Sequence, residues 1–382
     1  MRRRCRSASL CRIAIENSVT QFKRFRRFRF SRRARRALCL KGMRGASFGY
    51  ANQLRLELGL RNRTYARGRA HVESYGGFPV VVYAPDEGRH GNFFEPAYDA
   101  IATRPDWLKR FDKIHSQGRS LPKPTLDPAR RWRELDSSMS SDALLMNVFC
   151  APGVADSIAV RRMLGVTGED EPIFGWKARV PLTNGRFDRT EVDMRWGDLL
   201  VEAKLTESDF QCREATIVES YRDFDSVFDR ELLERVEIRT KRRREAVELA
   251  EEFTQEWEPH CQDDGAEARA FQAEIAAKAD ERQPKDPGYA SYQLIRNVLA
   301  AHALDASFCV IHDERRPDLR EAWFRVMATV KSAEMKMRCK VLTWQELVPL
   351  LTEGLQKFLK DKYGIMPPGL LAPPIGCERD PG

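Results

Sequence analysis

Nine cysteines occur in 382 residues, yet none form a C-x-x-C pair or a Cys/His cluster at zinc-ligand spacing. The usual zinc centres are therefore not expected. No stretch of about 18 apolar residues exists, which excludes a transmembrane helix. A glycine-rich phosphate loop of the form G-x-x-x-x-G-K-[ST] is missing too, so ATP-driven chemistry has no support. Internal repeats are absent. What is present is an ordinary globular composition, 42% hydrophobic and 32% charged, in a chain long enough for one large domain or a core with insertions. The cysteine usage, with Cys309 inside an apolar run, fits a reducing, cytoplasmic compartment.

The net charge of +9 is unevenly spread. Residues 1–42 hold 15 of the 65 Lys and Arg and one of the 56 acids, Glu16, which leaves 50 bases against 55 acids in the rest. Three readings of this segment stay open. It is an arm that binds phosphate backbone through Arg24, Arg26, Arg27 and Arg29, an Arg-rich, acid-poor targeting peptide, or a stretch upstream of a true start at Met43. The case for a nucleic-acid partner cannot rest on it.

The chain divides into the basic segment 1–42, a lead-in region 43–135, a core 136–365 with a helical insertion at about 229–281, and an irregular tail 366–382. In the lead-in region, Phe78–Tyr83 reads as a strand and Pro96–Ile101 as a short helix. Ser140 or Ser141 caps a helix over 142–149. Residues 173–182 and 186–205 read as strands, with turns at Asn184-Gly185 and Gly197-Asp198. A charged helix follows over 229–281, with Ala246, Leu249, Ala250, Phe253 and Trp257 as its apolar stripe, and Gln283–Gly288 breaks the chain. A helix 292–303, a strand 308–312, a helix 317–330 and a strand 338–342 come next. Thr343-Trp344-Gln345-Glu346 is a capping box opening a helix 344–362. The order predicts an α/β fold around a mixed sheet.

The chemistry concentrates at Glu191-Val192-Asp193 and Val201-Glu202-Ala203-Lys204. A four-residue turn at 195–198 would pair Met194 with Leu199, Asp193 with Leu200, and Glu191 with Glu202. Period-two alternation then puts Glu191, Asp193, Leu200, Glu202 and Lys204 on one face, with Val192, Leu199 and Val201 on the other. Like charges across a ladder destabilise it. A hard divalent cation such as Mg²⁺, with Mn²⁺ as a substitute, would compensate. Lys204 points to the same spot, where it could orient or deprotonate a water or neutralise charge on a phosphate. The bland alternative is a solvated hairpin whose acids and lysine face water.

This D-x(n)-E-x-K pattern on neighbouring strands resembles the PD-(D/E)XK, restriction-endonuclease-like nuclease superfamily. The resemblance implies a restriction-endonuclease-like core, a central mixed β-sheet flanked by helices. It also implies metal binding by Asp193, Glu202 and the Ala203 carbonyl, with Lys204 in catalysis. A narrower resemblance, to a group of bacterial restriction-endonuclease-like proteins, covers much of 75–350. It rests on 140–149, on Glu202-Ala203-Lys204-Leu205-Thr206-Glu207-Ser208-Asp209-Phe210, and on Tyr292-Gln293-Leu294-Ile295-Arg296-Asn297. Those proteins tend to have Gln where Asp142 stands, so Asp142 is either an extra acid or only a capping residue. Gln293, Arg296 and Asn297 share a helix face. That stripe either looks into the site, holding Lys204, a water or a phosphate, or is an exposed edge.

The expected function is a metal-dependent phosphodiesterase cutting nucleic acid, a DNA endonuclease, with no membrane partner. A homodimer would supply two sites for two strands. The alternative is a non-catalytic nucleic-acid-binding or interaction module that keeps the fold. The histidines are scattered; His90-Gly91-Asn92 alone does not make an HNH nuclease, and His312-Asp313, ending a strand, reads as structural.

Overall fold

A computed structural model describes residues 49–74, 80–115, 121–123, 127, 129–189, 191–239 and 285–369. Five strands form its principal sheet: β1 (Ile173–Lys177), β2 (Glu191–Trp196), β3 (Leu199–Ala203), β4 (Ser307–His312) and β5 (Cys339–Thr343). The spatial order is β5-β4-β3-β2-β1. β1, β2 and β3 run antiparallel, while β4 lies parallel to both β3 and β5. The expected mixed α/β architecture is therefore present.

Two apolar layers close on the sheet. On one face lies α1 (Ser141–Phe149), every residue of which is buried. Its Leu144, Leu145 and Phe149 pack with Met194, Trp196, Val201 and Ile311. Ser140 caps it, accepting from the Ala143 N–H at 3.1 Å. On the other face lie α2 (Tyr292–Ala303) and α3 (Pro317–Thr329), whose Leu294, Val298 and Trp323 join Leu200, Phe308 and Val310. Each fully buried side chain of this size stabilises the fold by about 1.5–3 kcal/mol. α2 starts without a side-chain cap. Its first amides instead donate to the Gln211 and Phe210 carbonyls, both at 2.9 Å, which seats the helix against the segment that follows β3.

Several expectations need correction. The β2–β3 turn has two residues, not four: Trp196 pairs with Leu199, Arg195 with Leu200, and Met194 with Val201. Gly197 has φ +58, the conformation the first position of a two-residue hairpin turn accepts. The register differs from expectation by two residues, which preserves the faces. One step past the ladder, Asp193 now stands opposite Glu202. Beyond Met194 the strands part, and Val192 joins the layer of Leu200 rather than that of Leu199 and Val201.

Residues 235–239 are not helical. Arg235–Arg239 is a strand paired with Lys285–Tyr289, which in turn pairs with Arg213–Glu214. The expected break at 283–288 is thus partly strand; Pro287 pairs with Glu237 but lies past the reach of Arg213–Glu214, and among the described residues no strand pairs with it on that side. The stripe Ala246–Trp257, the arm 1–42 and the tail from 370 fall outside the described residues. The helix expected over 344–362 is broken: Trp344–Leu347 is helical, then a 3₁₀ turn holds Pro349, and Leu351 and Thr352 are extended. Proline lacks the amide that a continuous helix would require there. A new helix, α4 (Glu353–Tyr363), follows. The Thr343–Glu346 capping box forms in both directions. Of the strand expected over 78–83, Val81–Tyr83 is present while Phe78 and Pro79 fall outside the described residues, and 173–182 divides into β1 and Val180–Pro181. No helix among the described residues is long and apolar enough to cross a membrane.

Candidate active site

Where β2 and β3 part, Asp193 and Glu202 face each other beside α2. The half-buried Asp193 turns Oδ2 onto the Ala203 N–H at 2.8 Å. Its carboxyl is pushed well above the ordinary range, first by burial and then by the negative charges of Glu202 and Asp142. Lys204 and the Ala203 amide oppose this. Glu202 is buried, and both its oxygens are held: Oε1 accepts from Lys204 Nζ and Oε2 from Asn297 Nδ2, each at 2.8 Å. Arg296 Nη2 lies 3.9 Å from Oε2.

Lys204 is 4% exposed. Burial draws its pKa down, but the charges of Glu202, Glu207 and Asp193 outweigh that, and the net shift is upward. It stands as a buried cation 5.7 Å from the centre of the Phe210 ring. Its carbonyl accepts from Trp344 Nε1 at 3.1 Å, and its amide donates to the Ile311 carbonyl at 2.8 Å.

The flanking candidates fall in different places. Glu191 and Asp142 converge on Arg110: Nη1 meets Glu191 Oε1, and Nη2 meets Asp142 Oδ2 at 2.7 Å. Asp142 also takes Lys113 Nζ at 3.3 Å, whereas the helix cap is Ser140. Arg296 and Asn297 are buried against the site: Arg296 Nη2 donates to the Glu191 carbonyl at 3.1 Å and to Asn297 Oδ1 at 2.9 Å. The stripe therefore grips Glu202 rather than Lys204. Gln293 does not join it; its Oε1 is buried without a hydrogen-bond partner among the described residues.

Two residues of this neighbourhood, Arg110 and Arg316, carried no signal in the sequence, and Glu207 appeared there only within the segment that carries the resemblance. Arg110 comes from a 3₁₀ turn in the lead-in region. Glu207 Oε2 accepts from the Leu205 N–H at 2.7 Å, and its Oε1 accepts from Ser141 Oγ at 2.5 Å. Arg316 is fully buried and donates to the carbonyls of Leu205, Glu207 and Ser208, fixing the turn after Lys204.

The donor set suits a hard cation. Two carboxylates from adjacent strands meet there, and although Lys204 and Arg296 both lie against Glu202, the repulsion between the acids is still registered at Asp193. Among the described residues no group of three or more His, Cys, Asp or Glu could by itself hold a metal. Mg²⁺ does not require such a cage, because it keeps several waters beside one or two carboxylates.

A family model described as Restriction Endonuclease associating with ARP matches residues 60–364, well over half of the chain. No curated protein and no solved structure matches.

Proposed function

The chain belongs to the Restriction Endonuclease associating with ARP family, and we propose that it is a metal-dependent phosphodiesterase that cuts DNA internally. The observation that carries this reading is the convergence of Asp193, Glu202 and Lys204 at the fork between β2 and β3. Asp193, Glu202 and the Ala203 carbonyl would hold Mg²⁺, with Mn²⁺ as a substitute. A bound Mg²⁺ would supply Lewis-acid polarisation of a phosphate oxygen and a water of lowered pKa.

The chain's own residues do the rest. Asn297 and Lys204 fix the Glu202 carboxylate from two sides, so its orientation is set before any ligand arrives. Lys204, kept cationic by its acidic neighbours, is suited to neutralise charge developing on the phosphate rather than to take a proton from water. Arg110 draws Glu191 and Asp142 to itself, which leaves Asp193 and Glu202 as the acids at the fork.

The test is cleavage of plasmid, linear duplex and single-stranded DNA by the full chain with Mg²⁺ or Mn²⁺, beside Asp193→Ala and Lys204→Ala. Both variants should be inactive, and chelation should stop the wild type. Cleavage that persists in both variants, or without metal, overturns the proposal.

A further inference from the structure

The edge of the principal sheet carries positive charge that the fold does not neutralise. β1 is the edge strand, and its last residue, Lys177, pairs across the ladder with Glu191, two positions before Asp193. The chain then makes a hairpin, Val180–Pro181 against Phe187–Asp188, turning at Asn184-Gly185. Lys177, Arg179, Arg186 and Arg189 are all exposed, and among the described residues none has an ion-pair partner. Exposed arginines elsewhere often do: Arg222 with Asp223, Arg325 with Glu321. Arg179 stacks over Phe187, 4.5 Å from the ring centre, and that ring is 43% exposed. On the sheet itself Arg195 covers Trp176 in the same way at 4.7 Å.

The hairpin is also anchored. Leu182 bridges to Tyr221, the Thr183 N–H donates to the Ser220 carbonyl at 2.9 Å, and Tyr221 Oη donates to Asp188 Oδ2 at 2.5 Å. Tyr221 Oη also lies 2.9 Å from the hydroxyl of Tyr292. Tyr292 opens α2, four and five residues before Arg296 and Asn297. The basic strip is thus tied to the helix that grips Glu202. The one acid among residues 177–189, Asp188, points back into that anchor.

We propose that the β1 edge and the 177–189 hairpin are the surface that holds the nucleic-acid backbone beside the cutting site. The exposed cations would contact phosphates, and Phe187 with its stacked Arg179 would offer a face for the sugar or an unpaired base. The partner is identified by charge: the chain from residue 43 onward is net acidic, so a local, unneutralised basic strip that starts beside Glu191 and is tied to α2 is the element suited to a polyanion. This deepens the nuclease reading and rests on the chain acting on nucleic acid.

The test uses the full chain in chelator, so that binding is read without cleavage, and a short DNA duplex as probe. Arg179→Ala/Arg186→Ala/Arg189→Ala is compared with a control that removes the same charge from other exposed arginines, Arg67→Ala/Arg162→Ala/Arg320→Ala. The hairpin triple should bind roughly tenfold more weakly at low salt and lower the salt slope by about 0.9 for each phosphate the protein no longer neutralises. The control should move both much less. In the wild type, amides of 180–189 should gain hydrogen-exchange protection when DNA is added. Equal losses in both triples, no loss in either, or a hairpin left unprotected by DNA overturns the proposal. Cleavage surviving Asp193→Ala and Lys204→Ala would instead remove the active-site reading and leave the binding result standing.

Discussion

Asn297 donates from Nδ2 to Glu202 Oε2 at 2.8 Å, fixing on one carboxylate a helix and a strand 95 positions apart in sequence. Both side chains are buried, and Asn297 Oδ1 is itself held by Arg296. Partners that orient a ligand typically matter by about 10–100-fold in metal affinity. Asn297→Ala should weaken Mn²⁺ binding to the chain without DNA by that order and raise the Mg²⁺ needed for half-maximal cleavage. Titration with Mn²⁺ followed by electron paramagnetic resonance measures this directly, and unchanged binding would show that Asn297 does not orient a ligand.

Arg110 and Gly175 form a second pair open to test. Gly175 has φ +64 in mid-strand, and a Cβ there would collide with Arg110 Nη1. Arg110→Ala strands the buried Asp142 carboxylate with only the half-exposed Lys113. Breaking a buried pair in this way destabilises by about 3–5 kcal/mol. Asp142→Asn placed on top should recover part of that loss. Gly175→Ala should cost more than about 1 kcal/mol from its backbone strain and the collision. In the Arg110→Ala background the collision is gone and only the strain remains. Urea denaturation of the four-member cycle reads the coupling; strict additivity would show that the two residues do not meet.

The sequence makes local features legible and distant ones not. The Ser140 cap, the apolar run Ser307–His312 and the helix Tyr292–Ala303 are written in consecutive residues. So is the D-x(n)-E-x-K pattern: because the register moves by an even number Asp193 and Glu202 still meet, although Val192 leaves the face expected for it. Arg110 cannot be found that way, since its partners lie 32 and 81 positions away. The strand Arg235–Arg239 alternates Val236 and Ile238 with charges, but the long charged stretch after it invites a helical period instead. Its partner strand contains Pro287-Gly288, which locally reads as a break. Gly288 is tolerated there because any Cβ would strike Ile238 and the Arg213 carbonyl.

Arg316 tests whether the turn after Lys204 must be rigid. Its guanidinium, with no exposure to solvent, spans the carbonyls of Leu205, Glu207 and Ser208 and is balanced by Asp318. Arg316→Lys keeps the charge but not the planar fork that reaches several acceptors at once. The expected outcome is faster hydrogen exchange across 204–208 and cleavage lowered by about tenfold or more, because Lys204 is then held less firmly. Unaltered exchange in that segment would show that the carbonyl contacts do not restrain it.

Lys362 supplies a pH dependence with a defined sign. It is fully buried on α4, donating to Asn62 Oδ1 at 3.1 Å, with the rings of Tyr363 and Tyr83 at 4.2 and 5.2 Å. Burial, reinforced by Arg69, holds its pKa well below the ordinary lysine value of 10.5. In the unfolded chain the same amine stays protonated up to that value. Between the two pKa values, unfolding therefore takes up a proton, and stability rises with pH by up to about 1.4 kcal/mol per unit. Below the depressed value both states are charged and the penalty is greatest; above 10.5 both are neutral and it vanishes. Lys362→Met keeps the bulk, and Asn62 Oδ1 still accepts from the Tyr83 hydroxyl. The variant should be more stable than the wild type at neutral pH, with the advantage shrinking as pH approaches 10.5. Urea melts across that range decide it: parallel curves would mean that the folded protein carries Lys362 charged.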